Sequence, residues 1–371
     1  MRIGVPRETK LEEYRVGLTP ASVREYVSRG HGVMVERGAG LGIGAGDDIY
    51  RSAGAAIVDT AAEIFATADM VVKVKEPQAT EWRQLREGQI LFTYLHLAPD
   101  SDQAKGLLAS GCTAIAYETV TDANGGLPLL APMSEVAGRL AIEAAGAALR
   151  KSADGMGKLI GGVPGVAPAR IAVIGGGVVG THAARMAAGL GADIVILDRS
   201  LPRLRLLDDL FAGRVRTRYA TLEAIDQEVI DADVVIGAVL VPGASAPKLV
   251  HRAHLSRMKR RAVLVDVAID QGGCFETSRP TTHQAPTFLV DEVVHYCVAN
   301  MPGAVPVTSS HALNNATLPF GLALAAKGIG ALVEDRHLRA GLNIYRGQIT
   351  NRAVAESLHM AAAAAEEVLA A

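Results

Sequence analysis

The chain has 371 residues, of which 49% are hydrophobic, 20% charged and only 4% aromatic, with a formal net charge of −2. That length exceeds one small core and favours two domains, and the scarcity of aromatics suits tightly packed α/β layers better than a β-sandwich. The near-neutral charge removes the electrostatic case for nucleic acid or an anionic membrane as partner.

Taken from the N-terminus, strand-like runs lie at Arg2–Val5, Gly32–Glu36, Met70–Lys75, Ile90–Tyr94 and Ala114–Tyr117. Helical stretches such as Thr19–Arg29 and Asp100–Ala109 separate several of them, which predicts a parallel sheet with helices on its faces. A long helical pattern follows from about Met133 to Lys151, with Ser134-Glu135 near its start where capping is expected. A Gly/Pro-rich loop, Gly161 to Pro168, then leads into Arg170-Ile171-Ala172-Val173-Ile174-Gly175-Gly176-Gly177-Val178-Val179-Gly180. This is a strand running into G-x-G-x-x-G, followed by a helical pattern to Leu190 and a second strand ending on Asp198. Gly175 allows the tight turn, Gly177 lets the backbone approach a pyrophosphate, and Gly180 lets the helix pack on the strand. The helix N-terminus faces the phosphates, and an acid about 20 residues on can bind a ribose 2′-hydroxyl. Further strands near Val215–Tyr219, Val234–Ile236, Val263–Val267 and Phe288–Val290 complete a set of six, the count of a dinucleotide-binding fold. After Pro306 the pattern is helical from Ser309 to Val333 and again from Ile349 onward, including the alanine run Ala361–Ala365. These helices are expected to pack back on the first unit, which would make that unit discontinuous.

Outside the glycine motif, five places carry candidate chemistry. Arg15 sits in a polar loop and suits bidentate pairing with a small carboxylate, the alternative being an exposed structural arginine. Lys73 and Lys75 end a strand on one face, and pattern alone does not separate them. His96 lies just past a strand end and can exchange protons near neutral pH, although a lone histidine is more often structural. Asp270, on a glycine-flanked loop, can act as base or steer a water, whereas Asp266 lies within the strand and reads as structural. The segment from Tyr296 to Gly303 follows the last strand, near the nicotinamide end of a bound dinucleotide, or serves as a hinge. The three cysteines, Cys112, Cys274 and Cys297, form no C-x-x-C and read as inert thiols in a reducing compartment. No signal-peptide or membrane-spanning run is evident, so a cytoplasmic location is expected.

Together these residues resemble the alanine dehydrogenase family over essentially the whole chain. The resemblance is carried by Arg2–Glu8, Arg15–Pro20, Val74–Pro77, Tyr94–Leu97, Pro132–Gly138, the glycine motif, Val265–Gly273 and Val298–Gly303. It implies two doubly wound, Rossmann-like α/β domains with parallel sheets and a cleft between them. Residues 1–128 plus 307–371 would bind substrate, and residues 129–306 the dinucleotide. The implied reaction is reversible oxidation of L-alanine by NAD⁺ and water to pyruvate, ammonia and NADH. On this resemblance Arg15 and Lys75 hold the substrate carboxylate and polarise the carbonyl, which selects Lys75 over Lys73. His96 and Asp270 move protons. The cofactor would be met by Ser134, by Val178 and Val179 beside the glycines, and by Asp198, Arg203 and Arg279. Three further segments would complete its site: Val239-Leu240, then Val267, Ala268, Ile269 and Asp270, and finally Val298, Ala299, Asn300 and Met301. A homohexamer is implied, and no residue is assigned as a metal ligand. Asp198 favours NAD, while the neighbouring Arg199 leaves room for weak NADP use. Three rivals remain: the soluble nucleotide-binding subunit of a proton-translocating transhydrogenase, a lysine- or saccharopine-type dehydrogenase, and a catalytically dead NAD-binding regulator.

Overall fold

The computed structural model describes residues 1–239 and 246–370. Two compact units are present: Met1–Met133 with Val305–Ala371, and Ser134–Ala304.

The first unit begins with β1 (Arg2–Val5), β2 (Gly32–Glu36), β3 (Ala56–Val58), β4 (Met70–Val72), β5 (Ile90–Thr93) and β6 (Thr113–Ala116). The central segment supplies β7 (Arg170–Ile174), β8 (Asp193–Asp198), β9 (Arg216–Tyr219), β10 (Val234–Gly237), β11 (Val263–Asp266), β12 (Thr287–Val290) and β13 (Val293–Tyr296). The C-terminal segment adds β14 (Leu342–Tyr345) and β15 (Gln348–Ile349) to the first unit.

The first sheet runs in the order β15-β14-β6-β5-β4-β1-β2-β3, parallel except for the β14 and β15 edge. The second runs β12-β13-β11-β10-β7-β8-β9, parallel except for β12. Within both, the parallel strands follow the doubly wound order 3-2-1-4-5-6, so the direction of winding reverses between the first strand and the fourth. The strands are short apolar runs buried on both faces, such as Ile171, Ala172, Val173 and Ile174 at 0–1% exposure, as expected for a sheet covered by helices. Helix starts carry side-chain caps: Thr19 accepts from the Ser22 N–H, and Asp100 from Gln103. The helix Pro306–Lys327 is tied to the first unit by Asn314, whose amide accepts from the Thr19 N–H at 2.8 Å and donates to the Gly17 carbonyl at 3.2 Å.

Several sequence expectations are corrected. The strand expected over Met70–Lys75 stops at Val72, because Val74 and Lys75 turn their N–H groups to the Glu8 carboxylate. The long helix starts at Ala131, so Ser134 lies inside it and is not its cap. Phe288–Val290 is not the sixth parallel strand. It is the antiparallel edge partner of β13, reached through the two-residue turn Asp291-Glu292, both at positive φ. A similar turn, Arg346-Gly347, joins β14 to β15 where only helix was expected. The alanine run is likewise not a continuous helix: Ala362 bridges to Ile349, and helix resumes at Ala365.

Candidate active site

In the first unit, Arg15, Lys75 and His96 follow β1, β4 and β5 respectively. These are neighbouring strands around the reversal of winding, and all three residues lie past the carboxyl ends, where open α/β sheets bind ligands. Arg15 is not an exposed loop arginine: its side chain is 2% exposed, and that of Glu13 is 0%. Its Nε donates to Glu13 Oε1 at 2.6 Å and its Nη2 to Oε2 at 2.5 Å, a two-pronged ion pair, while Nη1 lies 3.0 Å from the Met133 sulfur. Burial opposes the guanidinium charge, and the Glu13 carboxylate outweighs it, leaving the pKa above its ordinary value.

The two lysines separate cleanly. Lys73 is fully buried, and its Nζ donates to Glu8 at 3.2 Å and Glu81 at 2.9 Å, which makes it a structural ion pair. Lys75 is half-buried, and its carbonyl accepts from the Thr93 hydroxyl at 2.9 Å. Burial holds Glu8 above the usual carboxylate range despite Lys73. Glu76 is held below that range: burial opposes ionisation, but Lys75, a hydrogen bond from Lys10 and the nearby His96 outweigh it.

His96 is exposed and has φ +47°, a left-handed conformation that is uncommon for a non-glycine residue. Glu118 holds it there, accepting the His96 N–H at 2.6 Å and the Leu95 N–H at 3.1 Å. The Glu118 carboxylate also lies 4.0 Å from Nδ1, and the ring stacks on Tyr94 at 5.7 Å between centroids. Tyr94 is itself anchored by its hydroxyl, which donates to the Leu129 carbonyl at 2.6 Å. Strain of this kind gathers where a side chain has a task.

In the second unit, the three glycines each have a separate reason. Gly175 has φ +104°, and a Cβ there would lie 2.5 Å from the Ala238 carbonyl oxygen. A Cβ on Gly180 would lie 1.9 Å from the Gly175 carbonyl oxygen, so only glycine lets the helix sit this close. Gly177, at the start of the helix Val178–Gly189, meets nothing within 4 Å. That open face beside the unpaired N–H groups is the space a pyrophosphate needs, so the residues present fit a dinucleotide. Asp198 ends β8, and its Oδ2 accepts the Gly176 N–H at 2.7 Å. Arg203 braces the other side of Gly176: its Nε donates to the Gly176 carbonyl at 2.6 Å and its Nη2 to the Thr181 hydroxyl at 2.7 Å.

Apart from Ser134 and Arg279, the remaining candidates also follow strand ends of this sheet. Val239 follows β10; its neighbour Leu240 lies outside the described residues. Val267, Ala268, Ile269 and the exposed Asp270 follow β11 in a tight turn, Ile269–Gln271. Val298, Ala299, Asn300 and Met301 follow β13, with Asn300 at φ +58° and Met301 buried. Ser134 is half-buried, and Arg279 lies 4.3 Å over the Phe288 ring. Sequence reasoning missed Glu13 and Glu118, which hold Arg15 and His96. Glu13 left a local trace as Glu-x-Arg, whereas Glu118 lies 22 residues from His96 and left none. All three cysteines are free and buried, and burial pushes Cys112 and Cys297 up to about 11. Among the described residues, no helix is long and apolar enough to cross a membrane.

Comparison with known proteins adds the family. Residues 4–137 match alanine dehydrogenase/PNT, N-terminal domain, and residues 141–352 match alanine dehydrogenase/PNT, C-terminal domain. The chain is 59% identical to a Halomonas elongata protein named alanine dehydrogenase, over 96% of both chains. It is 52% identical to the alanine dehydrogenase of Mycobacterium tuberculosis H37Rv, over 96% of this chain and 97% of that one. A solved L-alanine dehydrogenase superposes with a TM-score of 0.94 at 49% identity, covering 97% of this chain and 99% of that one. A transhydrogenase from Sinorhizobium meliloti shares the fold at TM-score 0.81 and 24% identity, covering 95% of this chain and all of that one. With both domain descriptions matched and several relatives above 50% identity, the chain belongs to the alanine dehydrogenase/PNT family.

Proposed function

We propose that this protein is an NAD-dependent L-alanine dehydrogenase, which interconverts L-alanine with pyruvate and ammonia. The observation that carries the reading is the pairing of two features. One is a glycine cradle with an acid at the end of β8; the other is an Arg, Lys and His set following β1, β4 and β5. The relatives named alanine dehydrogenase support it. The Ser134–Ala304 unit would bind the dinucleotide and the other unit the amino acid.

The bound cofactor supplies the hydride chemistry. The protein holds and orients the reactants and moves protons. Arg15, braced by Glu13, receives the substrate carboxylate as a charged acceptor for its guanidinium. Lys75 supplies the second positive charge and polarises the C2 oxygen of pyruvate. Once C2 is oxidised, water must add to the imine and ammonia must leave. Asp270, exposed at the end of its turn, takes a proton from that water, and His96 shuttles protons between oxygen and nitrogen. The left-handed backbone at His96 and its stacking on Tyr94 fix the ring for this role. The protein would act in the cytoplasm as a homohexamer.

The test is formation of NADH, followed by its absorbance, with L-alanine against L-lysine, L-leucine and L-glutamate at alkaline pH. Turnover with alanine alone is expected. Turnover with lysine instead, or with none of the four, would overturn the assignment.

A further inference from the structure

Asp266, the last residue of β11, is fully buried, and the mechanism above leaves it unused. Its Oδ1 accepts from the Ala268 N–H at 3.2 Å, and the Cys274 thiol lies 3.5 Å from the same oxygen. Its Oδ2 accepts from the Cys274 N–H at 3.0 Å, the Phe275 N–H at 3.2 Å and the Ser278 hydroxyl at 2.5 Å. Gly273 lets the chain close over the carboxylate, since a Cβ there would lie 2.5 Å from Oδ2. Ser278 in turn receives the Cys297 thiol at 3.7 Å, immediately before Val298. The one carboxylate thus reaches both segments that follow β11 and β13.

Every partner found for it among the described residues is a donor, and none is a cation. That cage suits the anion and leaves its charge without a counterion. His295 supplies none: burial pushes its pKa down, and its ring is held between the Val293 carbonyl and the Thr277 hydroxyl.

We propose that Asp266 is a positioning residue that fixes the two loops after β11 and β13, and that its buried charge tilts the site toward the oxidised cofactor. This rests on the dinucleotide reading given above. The nicotinamide ring carries a positive charge in NAD⁺ and none in NADH, so a fixed anion beneath its loops stabilises one redox form and leaves the other nearly unaffected.

The experiment is calorimetric titration of the full-length protein with NAD⁺ and with NADH separately, in the absence of amino acid, for wild type, Asp266→Asn and Ser278→Ala. In Asp266→Asn the Kd for NAD⁺ is expected to rise about tenfold more than that for NADH. Equal weakening of both forms would make Asp266 a structural latch only and overturn the charge role. Ser278→Ala keeps the charge and removes a dipole that offsets it. The ratio Kd(NAD⁺)/Kd(NADH) is therefore expected to fall about twofold. An unchanged or higher ratio there overturns the proposal even if Asp266→Asn does not fold. A wild-type protein that binds neither form would defeat the dinucleotide reading itself.

Discussion

Replacing Glu13 by Gln tests whether Arg15 is built for a carboxylate. Both side chains are essentially inaccessible, so water cannot replace the lost partner. The amide keeps one acceptor for the guanidinium but turns an N–H₂ toward the other prong, and the buried ion pair with Glu13 is lost. Breaking a buried pair in this way costs about 3 kcal/mol or more. For a unit of about 200 residues, each 1 kcal/mol moves the melting temperature by roughly 2–4 °C, so a drop of about 6–12 °C is expected. Arg15 also loses its orientation, and the KM for L-alanine should rise about tenfold while kcat changes less, as expected for a group that acts through substrate binding. A third readout separates function from packing. Pyruvate would be held by the same Arg15, so with that orientation lost it should raise the melting temperature of Glu13→Gln less than that of wild type. Calorimetry with and without pyruvate and NADH, beside steady-state kinetics, measures all three. A variant with wild-type melting and wild-type KM would remove Glu13 from the account, and equal stabilisation by pyruvate in both proteins would reduce it to a packing residue.

Gly180→Ala puts a methyl 1.9 Å from the Gly175 carbonyl, and should destabilise the Ser134–Ala304 unit by about 1–3 kcal/mol and abolish NADH binding. Gly177→Ala meets nothing in the protein, so it should melt normally yet bind NADH weakly; normal binding would mean that no phosphate approaches there. Asp233 is held below the usual carboxylate range: burial opposes ionisation, and hydrogen bonds from Lys158, Lys259 and the Arg170 N–H outweigh it. Its stabilisation is therefore complete above the unfolded pKa of about 3.9 and lost as pH falls through the lower folded value. Asp233→Asn should flatten the acid limb of a circular-dichroism melting series, and an unchanged limb would contradict the sign. His96→Ala and Asp270→Asn should each lose turnover while fluorescence titrations show that NADH still binds; near-normal kcat would release that residue from the mechanism. Asp198 should hold kcat/KM for NAD⁺ above that for NADP⁺, and a clear NADP⁺ preference would refute its role at the ribose.

The legible parts of the fold were those written in local pattern. β7, the glycines, the helix Val178–Gly189 and β8 follow one another in order, and Gly175 and Gly180 each answer to a backbone clash found within that unit. The misread parts were hairpins at the sheet edges. Asp291-Glu292 makes its two-residue turn with both residues at positive φ but without the glycine that announces such turns, so the sequence points to β12 as the sixth strand and leaves β13 unassigned. Arg346-Gly347 does carry such a glycine, the local signal of a two-residue hairpin turn. The strand β3 is three residues long, too short for any periodicity.

The site divides along the same line. Arg15, Lys75 and His96 were visible because each follows a recognisable strand, and in a doubly wound sheet the strand ends near the reversal of winding share one edge. What holds them was not visible, because the partners act across long sequence distances: Lys73 with Glu8 over 65 residues, and His96 with Glu118 over 22. This also explains how two lysines in adjacent alternate positions come to differ. Past the end of β4 the chain no longer pleats. Glu8 captures the Val74 and Lys75 N–H groups and, with Glu81, the Lys73 ammonium, which consumes the first lysine in the fold and leaves the second beside Glu76 and His96. The acids that follow β1 and β4 therefore decide which of the two lysines is sealed into the fold. Glu8→Gln should accordingly disturb the loop that carries Lys75, although Glu8 itself need never touch a substrate.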